Sequence, residues 1–517
     1  MKMKMSSNND DICDDRDREP VAGLSAASSC IILSLCLDND RKLSPSSQFF
    51  PVYTHQCFPA EYISGWQPMS SAEQSSQQVY QRWRYGSVGE APVAMQEKHA
   101  SYKNIDGQEK QIEVNVLLSP SCDKCKIGVT TSTPPPLGSN VNTDEPATKK
   151  VKKVTFEEAD DKSTKQLSID DVIKKIQSSI PPIVSVTING SSTSTATDGA
   201  KTDTTDFNYL SHPIGAVVKS YKRKIKYNND TVEEGDFVIT LAKGSDPSVA
   251  SYHNAIQPLA RWFIETADDV NISDEDGGFW TVMYLFRKHD DKSPDNMKSS
   301  RYSLAGYITL FHFHAPFRKP NPGIIVRVCQ ALILPTYQRA GHGSDLLLSV
   351  HEYADRYLED FASPSTGMDI VEVNVEDPAP GFVALRDSVD YKRFVSLSES
   401  MRGTIGEFPD VTSKDYFQPS HDVLSISSLL KITKCQTEMM HEIYKLAAVE
   451  RWKKDSKDNE RIQQVETNYR LMVKKSLRSH RTEELGACEG GKEEQKALLA
   501  KWFDQTHNQY RKILGLV

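Results

Sequence analysis

The chain lacks a long apolar run, a charge of one dominant sign and a cysteine framework. Of its 517 residues, 38% are hydrophobic and 26% are charged. Nowhere do they gather into the roughly 18 consecutive apolar residues that a membrane span needs. The nearest approach, "SSCIILSLCL", follows the acidic "NNDDICDDRDREP", the wrong leader for a signal peptide. Lys and Arg total 62 against 70 Asp and Glu, a net charge of -8. A general nucleic-acid binder needs the opposite sign, whereas a mildly acidic protein suits a basic partner. Nine cysteines, an odd number without regular spacing, make no disulfide scaffold and fit reduced thiols. The single C-x-x-C, Cys122 to Cys125, lacks the second ligand pair that zinc requires, so it reads as two loop thiols and no metal is expected. Sequons at Asn189, Asn229 and Asn271 matter only on a secretory route. The expectation is a soluble intracellular protein with no direct DNA binding and no membrane segment.

What is present divides along the chain. Residues 1–26 are polar and acidic and read as a disordered tail. Over 27–207 an α+β region is expected, with strand-like "CIILSLCL" and "KQIEVNVLL" around the aromatic, turn-rich "FFPVYTHQCFPAEYISGWQP". Residues 117–165, with "TTSTPPPLGSN" and "TKKVKKVTFEEADDK", read as a disordered insert. Its Lys149–Lys153 run has two open readings, a nuclear-import patch and a solvated charge run. "SIDDVIKKIQSSIPP" predicts a helix with Ser168 as N-cap, and 190–206 is a second polar insert. From about 208, "GDFVITLAK", "NAIQPLARWFIETA", "GFWTVMYLF", "LAGYITLFHF", "IIVRVCQALIL" and "MDIVEVNVEDP" alternate strand and helix patterns, which predicts a mixed α/β sheet over 208–397. Strand signals vanish after about 420, so 398–517 is expected to be a charged helical region. The fold class is therefore α/β (mixed α+β).

The stretch that carries chemistry is "QRAGHG", residues 338–343, between a predicted strand and a predicted helix. Gly341 and Gly343 let the backbone turn sharply and approach a ligand without a β-carbon in the way. The helix behind them, with Leu346, Val350, Ala354, Tyr357 and Phe361 at helical spacing, opens with unpaired N–H groups and the positive end of its dipole. Together they make an anion cradle.

Gln338, Gly341 and Gly343 fill the pattern Q/R-x-x-G-x-G/A, which resembles the acetyl-coenzyme A pyrophosphate loop of the Gcn5-related N-acetyltransferase fold. The dinucleotide pattern G-x-G-x-x-G is not met. "RVCQALILPTYQRAGHGSDLL", "WFIETA", "VEDPAPGFVALRD", "YTHQCF" and "KITKCQTEMMHEIYKL" further resemble segments of the type B histone acetyltransferase catalytic subunits, from about residue 28 to the end apart from the two inserts.

That resemblance implies an acetyltransferase core between an α+β substrate region and a helical region, with acetyl-coenzyme A as co-substrate and no metal. It implies direct attack by a lysine in the tail of newly made histone four, a WD-repeat histone chaperone as partner, and a location in nucleus and cytoplasm. Carried onto this chain, it makes Glu376 the proton acceptor with Asp377 beside it, burial near a second carboxylate raising the pKa of Glu376. Ala331, Leu332 and Ile333 would meet the pantetheine arm and the acetyl carbonyl, where a main-chain N–H also steadies the oxyanion. Gln338, Arg339, Ala340, Gly341, His342, Gly343 and Ser344 would hold the pyrophosphate, and Phe382 would flank the cofactor. Phe311, His312, Phe313 and Glu61 would meet the histone tail. The chain departs from its relatives at Arg339, where family loops often carry Gly, and at Ala379, where some carry Asn. Cys329, inside a predicted strand beside Arg327, is expected to be a core thiol and not an acyl carrier. Two other readings are an acetyltransferase of the same fold acting on another amine, such as a protein N-terminus or a polyamine, and a catalytically silent histone-binding scaffold.

Overall fold

Alternating apolar positions pair into two sheets in the computed structural model. It describes residues 31–35, 48–49, 101–103, 109–132, 173–174, 176–177, 180–188, 191–193, 209–226, 232–264, 267–290, 300–319, 322–357, 368–400, 411–417, 423–488 and 491–516. The N-terminal tail, Glu61, Lys149–Lys153 and Ser168 lie outside them.

The first sheet holds β1 (Ile31–Leu35), β2 (Gln48–Phe49), β3 (Ser101–Lys103), β4 (Glu109–Leu118), β5 (Cys125–Ser132), β6 (Ile183–Ile188) and β7 (Ser191–Thr193). Its order is β2-β1-β4-β5-β6-β7, with β3 on β4. Residues 117–132, expected to open a disordered insert, instead finish β4 and form β5. Val116 and Leu118 pair with Ile127 and Cys125 across a hairpin, and all four are buried. The polar residues between them are turn chemistry: Cys122 has φ 58, and the Ser119 and Ser121 hydroxyls donate to Asp123. Cys122 and Cys125 are accordingly core thiols and not loop thiols. Burial pushes Cys122 well above the usual thiol range and Cys125 up to about 12.

The second sheet is a meander of β8 (Ala216–Lys226), β9 (Val232–Lys243), β10 (Gly278–Asp290), β11 (Ser300–Ala315) and β12 (Gly323–Ile333), closed on one side by β13 (Ile370–Val375). Neighbours are antiparallel except β12 and β13, which are parallel. Between β9 and β10 lie α1 (Pro247–Ile256), N-capped by the Asp246 carboxylate, and the short α2 (Ala260–Phe263). The parallel crossover from β12 to β13 carries α3 (His342–Asp355), and α4 (Pro380–Ser400) follows β13.

One apolar core runs through both sheets, with Trp262, Tyr284, Phe286 and Tyr307 fully enclosed. The first sheet docks through its hairpin: the Tyr252 hydroxyl of α1 donates to the Ser121 carbonyl at 2.8 Å, and Leu304 N–H donates to Pro120. A second core gathers Ile426 and Leu430 of α5 (Val423–Leu430), Met440, Ile443 and Leu446 of α6 (Lys434–Asp455), Val465 and Tyr469 of α7 (Asn459–His480) and Phe503 of α9 (Gly491–Ile513), with the short α8 (Thr482–Gly486) between α7 and α9. The helix α4 belongs to both cores, Phe382 to the first and Phe394 to the second, so the division expected after residue 397 falls inside a helix. Among the described residues no helix is long and apolar enough to cross a membrane.

Candidate active site

The parallel ladder between β12 and β13 runs only from Ile324–Ile370 to Val328–Val375, where the Glu376 N–H donates to the Val328 carbonyl at 2.9 Å. At that point β12 carries an extra residue against β11, because Thr309 faces Gln330 while Leu310 faces Val328. Cys329 is the bulged residue, and the Thr309 hydroxyl takes up the Gln330 N–H at 2.9 Å. A bulge bends its strand, so β12 and β13 part here. Gln330–Ile333 continue along β11 with no β13 partner, which leaves an open strand edge at Ala331, Leu332 and Ile333. The helix α4 brings Leu385 to 3.1 Å from where a β-carbon on Gly343 would stand, and its Phe382 packs against the first core. Ala379 is the residue before α4, its carbonyl accepting from Phe382 and Val383. An alanine side chain there offers the first turn of α4 no hydrogen-bonding cap.

The loop after β12 is held at both ends. Gln338 donates from its amide to the Ile333 carbonyl at 2.8 Å, so it secures the loop to the strand it leaves. Arg339 is exposed with φ 61, and Gly341 caps α3 at φ 89. The positive φ of Arg339 is a conformation that glycine adopts without strain. Ser344 and Asp345 N–H groups turn back to the Gly341 carbonyl, so the amides of His342 and Gly343 are the open donors of the helix end. His342 itself faces inward at 1% exposure, its Nδ1 2.8 Å from the Tyr221 hydroxyl and its ring 4.3 Å from Phe237. Burial, reinforced by Arg223, pushes its pKa down to about 4, so the ring is neutral and only its backbone is offered to the loop.

On the face of the sheet opposite α3, cross-strand register aligns Trp280 with Phe311, Phe311 with Arg327, and Phe313 with Ile325. Ring centroids are 4.7 Å apart for Trp280–Phe311 and 4.6 Å for Phe311–Phe313. The Arg327 guanidinium lies 4.5 Å over Phe313, with Nη1 4.0 Å from Glu376 Oε1. Burial pushes the Cys329 thiol up to about 12, and the nearby Glu376 carboxylate acts in the same direction. Glu376 thus stands between Arg327 and Cys329 at the fork. Its side chain is 51% exposed and its near neighbour is a guanidinium, in contrast to the expected burial beside a second carboxylate. The strand ends here: Asp377 adopts φ 32 and is exposed ahead of Pro378, so both carboxylates sit at a turn.

His312 is placed apart from Phe311 and Phe313. It is fully buried on the α3 side, Nε2 3.0 Å from the Tyr353 hydroxyl and Nδ1 3.2 Å from the Phe279 carbonyl, and burial pushes its pKa down to about 3. Successive side chains of a strand point to opposite faces, so no ligand on the aromatic face touches it. The same alternation brings in Trp280 and Arg327, which the sequence reading left out of the site.

Residues 140–265 match the family described as histone acetyl transferase HAT1 N-terminus. A Dictyostelium discoideum protein is 31% identical over 183 residues, 35% of this chain and 35% of its own. A Homo sapiens protein is 27% identical over 316 residues, 60% of this chain and 61% of its own. One from Cryptococcus neoformans is 27% identical over 306 residues, 57% of this chain and 62% of its own. All three bear the name histone acetyltransferase type B catalytic subunit. The chain resembles the type B histone acetyltransferase catalytic subunits. It spans about a third to three fifths of the length of these relatives. Among the described residues no group of three or more His, Cys, Asp or Glu could hold a metal ion.

Proposed function

We propose that the protein is a histone acetyltransferase that moves an acetyl group from acetyl-coenzyme A to lysine side chains in the tail of newly made histone four. The observation that carries this reading is the fork: one bulge at Cys329 opens the β12 edge toward the glycine cradle and leaves Glu376 at its apex. The residues present suit the cofactor. The Ala331–Ile333 edge offers main-chain groups to the pantetheine arm, the amides at the start of α3 suit the pyrophosphate, and Phe382 supplies an apolar wall. A β-carbon at Gly343 would crowd Leu385 and narrow that cradle.

The acceptor lysine has an ordinary pKa of about 10.4, so at pH 7 about one in a few thousand is neutral. Glu376 accepts the proton from the lysine nitrogen as that nitrogen bonds to the thioester carbonyl carbon. The carbon–sulfur bond then breaks, and the coenzyme leaves as its thiol once it takes up a proton. Phe311, Phe313 and Trp280 wall the lysine's aliphatic stem. Arg327 stands where the incoming ammonium would approach, so the lysine and Arg327 share the carboxylate's surroundings. Cys329 stays protonated and serves no acyl transfer. By resemblance a WD-repeat histone chaperone is the partner, and the protein works in nucleus and cytoplasm.

The test is transfer of labelled acetyl from acetyl-coenzyme A to histone-four tail peptide, a peptide N-terminus and a polyamine in parallel. Labelling of tail lysines is expected. Labelling of another amine in preference would reassign the acceptor, and labelling of none while histone binds would make the protein a scaffold.

A further inference from the structure

We infer that Arg223, a residue of β8 remote in sequence from the glycine loop, binds phosphate in the cofactor cleft, with Asp345 as its positioning residue. The inference rests on the proposed function. In β8 the residues Lys219, Tyr221 and Arg223 turn toward α3, while Ser220, Lys222 and Lys224 are exposed on the other side. They meet a single face of that helix: Tyr221 reaches His342, Arg223 pairs with Asp345, and Lys219 pairs with Glu352 at 3.1 Å.

Asp345 lies in the first turn of α3, where a carboxylate suits the helix dipole but opposes an incoming anion. Arg223 neutralises it through Nη2. Nη1 comes within 3.1 Å of the point where a β-carbon on Gly341 would stand, so the guanidinium borders the cradle itself. Its Nε is buried with no hydrogen-bond partner, and the side chain as a whole is 35% exposed. A planar fork with one arm anchored on Asp345 and another beside Gly341 at a helix N-terminus is suited to a phosphate oxygen. The cradle thus gains a side-chain cation to join its backbone amides. The phosphate is either the pyrophosphate or the 3′-phosphate of the coenzyme.

Isothermal titration of acetyl-coenzyme A, its 3′-dephospho form and acetyl-pantetheine into the full chain tests this. Arg223→Met is expected to weaken acetyl-coenzyme A by about 10- to 100-fold and to leave acetyl-pantetheine unchanged. A loss retained with the dephospho form assigns the pyrophosphate, and a loss that disappears with it assigns the 3′-phosphate. Unchanged affinity for acetyl-coenzyme A, or an equal loss toward acetyl-pantetheine, would overturn the inference. Thermal melting checks the fold. Should Arg223→Met not fold, Arg223→Lys decides: it removes the fork and keeps the charge, and a loss confined to the phosphate-bearing ligands supports the inference while no loss overturns it. If the wild-type chain binds no form of the coenzyme, the proposed function itself fails, which is a different result from either of these.

Discussion

The Glu376 N–H donates to the Val328 carbonyl at 2.9 Å, and past that bond β12 and β13 separate. The same rung that ends the ladder fixes the backbone of the carboxylate at the fork. Opening the β12 edge proposed for the cofactor and placing the proposed base are therefore one structural event, caused by the extra residue at Cys329.

Direct transfer requires Cys329 to stay out of the chemistry. Burial first, and then Glu376, hold its thiol up to about 12, so almost none is thiolate at pH 8. Intact mass spectrometry after incubation with acetyl-coenzyme A is expected to show no acetyl adduct on the enzyme, and Cys329→Ser should label tail peptide at a rate within about three-fold of wild type, since it is close in size. A peptide-chaseable acetyl adduct absent from Cys329→Ser would contradict this.

The loop carries two left-handed residues with different expectations. At Gly341, φ 89, an alanine would be strained and crowd Arg223, so Gly341→Ala should cost about 1–2 kcal/mol and weaken coenzyme A. At Arg339, φ 61, glycine relieves strain of about 1–2 kcal/mol against an entropic cost of about 0.5–1 kcal/mol and the loss of the side chain's own interactions, so Arg339→Gly should change stability by no more than about 1 kcal/mol in either direction. Urea unfolding measures both. An Arg339→Gly variant destabilised by clearly more than that would show that the arginine side chain holds the loop.

In the helical core, Glu442 is 6% exposed and accepts from the Tyr510 hydroxyl at 2.8 Å, and burial raises its pKa from 4.5 to about 7. Between these two values the folded chain holds a proton that the unfolded chain has released, so this group's contribution to stability falls as pH rises from 4.5 to 7 and is level above. Neighbouring His441, pushed down to about 4 by burial, has a contribution that rises with pH over much of the same window. The glutamate must therefore be read as a difference: wild type should lose on the order of 3 kcal/mol relative to Glu442→Gln across that window. Parallel denaturation curves for the two proteins from pH 4.5 to 7.5 would contradict it.

The strands of the second sheet and the glycine turn from β12 into α3 were legible because both are local: alternation over "LFHF" and "RVCQALI", and a glycine spacing within six residues. Applied one step further, that alternation would also have removed His312 from the tail-binding set, since it stands one residue from Phe311 and Phe313. The β5 strand was hidden because its Ser-, Pro- and Cys-rich hairpin turn has the composition of a loop. The bulge at Cys329 and the Arg223–Asp345 pair were not legible at all. One is a register shift between strands, and the other joins residues 122 apart, with nothing in either segment to name its partner.

Glu376→Gln tests the central claim most directly, with acetyl transfer to histone-four tail peptide and acetyl-coenzyme A affinity measured on the same preparation. The amide keeps the size of the side chain and the backbone bond to Val328, and removes the proton acceptor. Transfer is expected to fall by about 100-fold or more at every pH from 6 to 9 while affinity stays at the wild-type value. Transfer at the wild-type rate across that range would contradict the assignment of Glu376 as the base.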